Sequence, residues 1–288
     1  MPLVDRPDNR SLEYLVAGPP DGTPLVFHHG TPGAAVALPA LVDAASVRGL
    51  RLVTYARPGY GRSTAHPGRS IADAAADTAA VLDALGAGTF VTLGWSGGGP
   101  HALACAALLP DRCLAAASVS GVAPYDAEGP DWSAGMAAEN LAEFAAAAAG
   151  EAELTRFLTA EAGDLATIQA PELVSGLGTL VSETDIRAVT PEFADYLART
   201  FRTALAPGIA GWRDDDLAFV RDWGVPLKAR CPVSVWHGGQ DRMVPLHHGR
   251  WLVANWDGAR DRLQPGNGHL TLAAAGFADV LDDLLRDA

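Results

Sequence analysis

Short apolar runs bounded by glycine, proline or aspartate recur along the chain up to residue 125. Such runs are typical of β-strands. Five of them are SLEYLVAG, PLVFHHG, RLVTYA, TFVTL and LAAASVSGV. Between the third and the fourth, residues 69–88 repeat apolar side chains, among them Ile71, Val81 and Leu82, with the period of a helix. Strands that alternate with helices predict an α/β fold with a mostly parallel sheet covered by helices on both faces.

The pattern changes between residues 126 and 210. This stretch is rich in alanine and glutamate and has no strand signal, so it is predicted to be helical. The alternation resumes at CPVSVWHGG, and the last predicted element is the helix FADVLDDLLRDA. We therefore predict an α/β core formed by residues 1–125 and 211–288, with a helical lid inserted at 126–210.

The charge balance narrows the range of partners. The 288 residues carry a formal net charge of −13, and lysine and arginine form no obvious cluster. Binding to a phosphate backbone or to an anionic membrane needs clustered cations. We therefore expect a small-molecule substrate, and neither nucleic acid nor membrane as a partner. Monomer and homodimer both stay open.

The cysteines and the N-terminus bear on the compartment. Cys105, Cys113 and Cys231 are odd in number and widely spaced, which fits neither a disulfide framework nor zinc-ligand spacing. The segment MPLVDRPDNRS has charges and prolines where a secretory signal needs an apolar run. The predicted location is the cytoplasm.

The segment FVTLGWSGGGPHALA combines a predicted strand, a glycine-rich turn and a predicted helix around Ser96. A Gly-x-Ser-x-Gly turn in that setting is typical of a nucleophile elbow, which holds the serine exposed at the start of the helix. Gly94 and Gly98 leave room where a side chain would collide with neighbouring backbone. A dinucleotide-binding loop would need glycine at position 96, and a P-loop would need lysine in place of Pro100, so neither alternative fits.

A serine hydroxyl becomes an effective nucleophile when a base removes its proton and an acid orients that base. Asp241 follows the predicted strand in SVWHGGQDRMVP, and His269 follows a shorter strand in QPGNGHLTL. Because the carboxyl ends of parallel strands share one edge of a sheet, Ser96, Asp241 and His269 can converge there. Asp126, just after a predicted strand, is a rival for the acid.

A serine that attacks a carbonyl group also needs donors for the oxyanion that forms. The turn HHGTPG follows the apolar run LVF, and its glycines and proline allow a sharp, stiff turn. We expect the backbone N–H groups of Thr31 and Gly97 to be the two donors. An ordinary turn is the alternative interpretation of HHGTPG.

Five motifs resemble the α/β-hydrolase superfamily, in particular its lidded serine hydrolases with an HG-x-P turn. They are HGTPG, RPGYGRS, GWSGG, GGQDRMVP and GNGH. The resemblance covers nearly the whole chain apart from the lid. It implies a serine hydrolase with Ser96 as nucleophile, His269 as base and Asp241 as the acid that orients it. Related dehalogenases and epoxide hydrolases have aspartate in place of the serine, which disfavours both activities.

The expected function is hydrolysis of a small or medium, mostly apolar ester, lactone or thioester through an acyl-enzyme. The alternatives are a proline iminopeptidase-like aminopeptidase, a cofactor-free lyase or perhydrolase, and a ligand receptor with little turnover. An aminopeptidase of that kind needs lid carboxylates for the substrate amine. Glu139, Glu143, Glu151 and Glu153 lie in the predicted lid, but we expect them to form a solvated helix face.

Trp95 and Met243 are predicted to line the substrate pocket, because they neighbour the nucleophile and the acid in sequence. His29 is a third candidate for the pocket wall. For Trp132 and Trp212 we expect packing within the lid.

The remaining histidines give no sign of a metal site. His28 and His101 have no carboxylate or cysteine partner at ligand spacing, so we expect them to be structural. No cofactor motif is present in the sequence. We therefore expect neither a metal nor a cofactor.

Overall fold

One mixed sheet forms the centre of the computed structural model, which describes residues 1–129, 131–178 and 180–286. Eight strands are present in these residues. They are β1 Leu3–Asp5, β2 Ser11–Ala17, β3 Thr23–His28, β4 Leu50–Tyr55, β5 Phe90–Trp95, β6 Cys113–Val119, β7 Val233–Gly238 and β8 Arg260–Gln264. Their order across the sheet is β1-β2-β4-β3-β5-β6-β7-β8, parallel from β4 to β8 and antiparallel at β1 and β2. The prediction of a mostly parallel sheet is confirmed.

The central strands β3, β5, β6 and β7 are almost fully buried, because they carry apolar residues on both faces. This composition suits parallel strands that are covered by helices on both sides. Leu25 and Phe27 of β3 pack into the core on one face of the sheet, and Val26 packs into the core on the other. The edge strand β8 has the charged sequence RDRLQ and is partly exposed, which suits a strand with one unpaired side.

Helices cover both faces of the sheet. They are α1 Pro39–Ser46, α2 Asp73–Ala84, α3 Gly99–Leu108, α4 Ala138–Ala149, α5 Glu151–Leu165, α6 Ala170–Gly176, α7 Glu183–Ala188, α8 Pro191–Leu205, α9 Ala210–Phe219, α10 His247–Asn255, α11 Thr271–Ala274 and α12 Ala278–Leu284. We call α4 to α9, which lie between β6 and β7, the helical segment. Its described residues contain no strand. None of the described helices is long and apolar enough to cross a membrane.

The element boundaries differ from the predicted ones in several places. The short elements β1, α1 and α10 have three, eight and nine residues, too few for a clear period to stand out in the sequence. The helical segment overlaps the predicted lid at 126–210 but extends to Phe219, and its role as a lid stays a prediction. The last helix ends at Leu284, and positions 287 and 288 of its predicted range lie outside the described residues.

Two of the three cysteines meet in the folded chain. Cys113 begins β6 and Cys231 precedes β7, and their sulfur atoms lie 3.8 Å apart while all three cysteines are free thiols. The wide spacing in the sequence gives no sign of this contact, because the parallel pairing of β6 with β7 creates it.

Candidate active site

Ser96 lies at the sharp turn between β5 and α3. Its backbone φ is +54°, in the left-handed region that residues other than glycine seldom occupy. A Cβ atom at Gly94 would overlap the Gly98 carbonyl group, and a Cβ atom at Gly98 would overlap the carbonyl group of His28. Glycine at both positions therefore lets the turn close against β3, and the surrounding packing holds the strained serine in place.

The turn after β7 and the loop after β8 bring Asp241 and His269 together. Nδ1 of His269 donates a hydrogen bond of 2.8 Å to Oδ2 of Asp241. Oδ1 of the same carboxylate accepts the backbone N–H groups of Met243 and Val244 at 3.0 and 2.8 Å. Because a carboxylate accepts and does not donate, Nδ1 carries the proton of the neutral imidazole, and Nε2 then keeps its lone pair.

Ser96 and His269 line the same cavity, which has a volume of about 410 Å³. Nε2 of His269 is buried and has no hydrogen-bond partner among the described residues, so it forms no hydrogen bond with the Ser96 hydroxyl. Catalytic hydrogen bonds are often long without substrate and tighten in the reacting complex. The fold thus brings the three predicted residues to one site, with Asp241 and His269 already paired.

The surroundings of His269 favour its protonated form. Burial lowers the pKa of His269, but the Asp241 carboxylate raises it through its charge and its hydrogen bond, and Asp185 adds to this effect. The net result is a pKa above the ordinary value of 6.5. A raised pKa makes the imidazole a stronger base toward a nearby hydroxyl group.

Thr31, at the turn after β3, lies against the elbow. A Cβ atom at Gly97 would overlap the Thr31 side chain, so glycine at this position allows the close approach. Backbone N–H groups this close to Ser96 suit an oxyanion hole, and this role for Thr31 and Gly97 stays a prediction.

A buried network beneath this turn includes residues that sequence reasoning missed. Arg57, in the RPGYGRS motif, donates hydrogen bonds to the carbonyl oxygens of His29 and Gly30 at 2.6 and 3.0 Å. It also forms an ion pair of 2.6 Å with Asp215 of α9. The Asp215 carboxylate in turn accepts the hydroxyl of Thr31 at 2.8 Å. The network therefore fixes both the backbone and the side chain of the turn.

Two more groups contact the Asp215 carboxylate. Arg69 forms an ion pair of 2.7 Å with it, and the Tyr60 hydroxyl donates to it at 2.9 Å. Burial raises the pKa of Asp215, but Arg57 and Arg69 outweigh this effect and hold the pKa well below 3.8. The RPGYGRS motif is the sequence signal that points to this network, whereas Asp215 is the middle of three consecutive aspartates and nothing in the sequence distinguishes it.

His29 does not line the cavity, and the prediction for it is wrong. Its side chain is 1% exposed. Its Nδ1 lies 2.8 Å from the Gly30 carbonyl oxygen, and its Nε2 accepts a hydrogen bond from the backbone N–H of Arg57. The ring packs edge-on against Tyr60 beneath the turn. The residues that follow it, Gly30 to Pro32, form this part of the cavity wall instead.

The helical segment supplies most of the cavity wall. Its apolar contribution includes Phe157, Leu165, Ile168, Leu177, Leu197 and Phe201. Trp95 and Met243, from the sheet side, line the cavity as well. Trp212 also faces the cavity, in addition to the packing expected for it. A largely apolar wall around a few polar groups is typical of a small-molecule site.

Carboxylates of the helical segment also reach the cavity. The four that line it are Glu139, Glu143, Glu161 and Asp164. The expectation of a solvated helix face is therefore wrong for Glu143, which is partly buried, whereas Glu139 lines the cavity and is exposed to solvent as well. Glu143 accepts a hydrogen bond of 2.7 Å from the Trp212 indole N–H, and burial raises its pKa. Glu151 and Glu153 lie away from the wall and pair with arginines.

The other candidates from the sequence lie apart from the cavity. Asp126 is exposed in the turn that follows β6. Trp132 is buried, and its indole N–H donates to the Ala123 carbonyl oxygen at 2.8 Å, as expected for packing. His28 and His101 are buried beneath the elbow, and burial lowers the pKa of His28 to about 3. The part of the chain that the structure describes holds no group of three histidine, cysteine, aspartate or glutamate side chains suited to a metal ion.

The chain belongs to the alpha/beta hydrolase fold family, whose family model matches residues 23–273. The match includes the sheet from β3 onward, the elbow and the loops that carry Asp241 and His269. The protein is therefore an alpha/beta hydrolase.

Known proteins of this kind resemble the chain to different extents. It is 35% identical to a non-heme chloroperoxidase of Streptomyces lividans over 151 residues, which are 52% of this chain and 55% of that protein. The chain thus matches about half the length of this relative. Among solved structures, a bromoperoxidase from Bacillus anthracis has a TM-score of 0.73 at 21% identity, over 99% of both chains. The enol-lactonase from Burkholderia xenovorans LB400 has a TM-score of 0.65 at 19% identity, also over 99% of both chains. At these identities the two structures show a shared fold.

Proposed function

We propose that the protein hydrolyses a small or medium, mostly apolar ester, lactone or thioester through an acyl-enzyme on Ser96. The observation that carries this proposal is the hydrogen bond between His269 and Asp241 beside the cavity that Ser96 also lines. Membership of the alpha/beta hydrolase fold family supports it. The fold shared with an enol-lactonase makes lactones a reasonable substrate class.

In this reaction Nε2 of His269 takes the proton from Oγ of Ser96 as the oxygen attacks the substrate carbonyl carbon. Asp241 holds the imidazole in the required tautomer and stabilises its charged form. The N–H groups of Thr31 and Gly97 bind the oxyanion. His269 then protonates the leaving alkoxide or thiolate. It next removes a proton from the water that attacks the acyl carbon, and it gives this proton to Oγ of Ser96 as the bond between Oγ and the acyl group breaks.

The cavity sets the size and polarity of the substrate. A volume of about 410 Å³ suits a small or medium molecule. Leucine, isoleucine and phenylalanine side chains of the helical segment dominate the wall. The transfer of an apolar substituent from water to this cavity is therefore favourable and strengthens binding. We therefore expect esters with apolar acyl chains to be hydrolysed faster than hydrophilic esters of equal length.

A fluorophosphonate probe and a panel of p-nitrophenyl esters and lactones test the proposal. The probe should label the wild type at Ser96 and should not label Ser96→Ala. Ser175→Ala, which removes an exposed hydroxyl of α6, is the matched control and should behave like the wild type. Labelling at another residue would contradict the proposal. Fewer than one product per enzyme across the whole panel would favour a ligand receptor instead.

A second candidate is hydrolysis of substrates that carry a positively charged amine. The carboxylates of Glu139, Glu143, Glu161 and Asp164 in the cavity wall favour it, because they would attract an ammonium group. Paired esters of equal length, with and without a terminal amine, distinguish the two candidates. If the amine is recognised, Glu143→Gln should raise KM for the charged ester alone. An equal KM for both esters would argue against this candidate.

A further inference from the structure

Asp185, on α7 of the helical segment, is fully buried against the loop that carries His269. The backbone N–H groups of His269, Leu270 and Thr271 donate to its carboxylate at 3.0, 2.7 and 3.0 Å. The Thr271 hydroxyl donates to it at 2.9 Å. One side chain of the helical segment thus binds three consecutive N–H groups of this loop.

The position of Asp185 in its own helix does not account for these contacts. Asp185 completes the capping box of α7, in which Oδ2 accepts the N–H and the hydroxyl of Ser182 at 3.2 and 2.9 Å. This local role occupies Oδ2 alone. Oδ1 accepts hydrogen bonds from Leu270 and Thr271 only. One of the two carboxylate oxygens, Oδ1, therefore binds the loop alone.

The loop is shaped to receive this carboxylate. A Cβ atom at Gly268 would overlap the Asp185 side chain, so glycine at this position makes room for it. The His269 carbonyl oxygen accepts the indole N–H of Trp95 at 3.2 Å. The backbone of His269 is consequently held at its N–H by Asp185 and at its carbonyl by Trp95, while Asp241 holds its ring.

We propose that Asp185 is a positioning residue of the active site, which fixes the backbone of His269 so that the ring lies between Asp241 and Ser96. The hydrogen bond to Asp241 fixes one ring atom, and a mobile backbone would still let Nε2 swing away from the serine. A misplacement of about 1 Å can cost roughly 100-fold in rate. This inference rests on the proposed function, because it takes His269 to be the base.

Asp185 also affects His269 through its charge. Three titratable groups face the imidazole: Asp241 after β7, Asp185 on α7 and His237 of β7. Burial lowers the pKa of His237. The negative charge of Asp185 acts in the same direction as that of Asp241 and raises the pKa of His269. Removal of the Asp185 charge should therefore lower this pKa, whereas loss of a helix cap alone should not change it.

The test compares Asp185→Asn with Ser182→Ala. Asparagine keeps the shape of the side chain but has one accepting oxygen and no charge. Ser182→Ala removes the two hydrogen bonds that the Ser182 hydroxyl makes in the cap of α7, and it keeps the bond from the Ser182 N–H and those to the loop. We expect fluorophosphonate labelling of Ser96 to slow by about 100-fold in Asp185→Asn, and to stay close to the wild-type rate in Ser182→Ala. In ester hydrolysis, kcat should fall and KM should change little.

A titration of the His269 ring by ¹⁵N NMR, assigned with His269→Gln, gives a readout that does not need turnover. Its midpoint should move to lower pH in Asp185→Asn and stay unchanged in Ser182→Ala. If Asp185→Asn does not fold, Gly268→Ala replaces it, because the added methyl group displaces the carboxylate and should also slow labelling. Equal labelling rates for the wild type and the Asp185 or Gly268 variant, or an unchanged midpoint in Asp185→Asn, would overturn the inference. An unlabelled wild type would refute the proposed function instead, and the titration would still decide the role of Asp185.

Discussion

A hydrogen bond of 2.8 Å joins the Thr31 hydroxyl to the Asp215 carboxylate. Thr31 belongs to the turn after β3, and Asp215 belongs to α9, so this bond links the predicted oxyanion turn to the helical segment. Arg57 donates to both groups, at 3.0 Å to the hydroxyl and at 2.6 Å to the carboxylate. The position of Thr31 therefore depends on a buried ion pair as well as on the glycines and proline of its own turn.

Replacement of Asp215 by asparagine should strongly destabilise the fold. Arg57 and Arg69 would lose their buried counter-charge, and such a loss typically costs about 3–5 kcal/mol in the free energy of unfolding. Urea unfolding measures it. Thr31→Val is the matched control, because it removes no charge and only the two hydrogen bonds of the Thr31 hydroxyl, to Asp215 and from Arg57, and it should cost about 2 kcal/mol. A free energy of unfolding for Asp215→Asn within about 1 kcal/mol of the wild type would show that the network is not important for stability.

The rate of ester hydrolysis should fall as His269 becomes protonated. Since Asp241 raises the pKa of His269 above 6.5, kcat/KM should decrease with falling pH from a point above 6.5. A pH profile of kcat/KM from 5 to 9 measures this. Asp241→Asn should reduce the rate by roughly 10⁴-fold and move the decrease to lower pH, because the stabilising charge is gone. A profile that is flat down to pH 5 would exclude His269 as the base.

A methyl group at Gly98 should damage both stability and the position of Ser96. The added atom would overlap the His28 carbonyl group, and overpacking of this kind costs about 1–3 kcal/mol. Gly88→Ala is a suitable control, because no atom lies within 4 Å of the added Cβ there. Urea unfolding and the rate of fluorophosphonate labelling compare the two variants. Wild-type behaviour of Gly98→Ala would mean that the elbow tolerates a side chain.

Acid should destabilise the protein through its buried histidines. Burial lowers the pKa of His28 and of His248 to about 3, so both stay neutral in the folded state down to that pH. The same side chains take up protons below about 6.5 in the unfolded chain, so each should cost about 1.4 kcal/mol per pH unit between 6.5 and 3. His269 does not offset this loss below pH 6.5. Because its pKa is raised in the folded state, its stabilising contribution is already complete at that pH and does not grow as the pH falls further.

Urea unfolding at pH 7, 6 and 5, at constant ionic strength, measures this dependence. His28→Gln removes one of the buried histidines whose pKa is lowered and should make the decrease less steep. Equal free energies of unfolding at pH 7 and pH 5 in the wild type would contradict the linkage. A steep decrease that His28→Gln leaves unchanged would assign it to other groups.

The fold and the elbow are predictable from the sequence because their signals are local. The strand β5, Ser96 and α3 lie in one contiguous segment, and Asp241 and His269 each follow a strand. Asp185 and Asp215 escape prediction because their partners are distant, at 84 residues from Asp185 to His269 and 184 residues from Asp215 to Thr31. In the sequence, Asp185 fits a helix cap.

The orientation of the lid-region glutamates is unpredictable for a related reason. The sequence of α4 fixes that Glu139 and Glu143 share one face of the helix, since they are four residues apart. It does not fix whether that face meets solvent or a cavity. That outcome depends on α5, α8 and α9, which enclose the space together with α4.

Asp185 and Asp215 reach from the helical segment to the loops that follow β8 and β3, and these contacts affect how the enzyme could be redesigned. Exchange of α4 to α9 for the equivalent part of a relative is an obvious route to a new substrate range, because these helices form most of the cavity wall. Such a hybrid would keep Ser96, Asp241 and His269 and would lose Asp185 and Asp215. We expect hybrids that carry aspartate at the positions equivalent to 185 and 215 to be active more often than hybrids in which the helices are exchanged without these two residues.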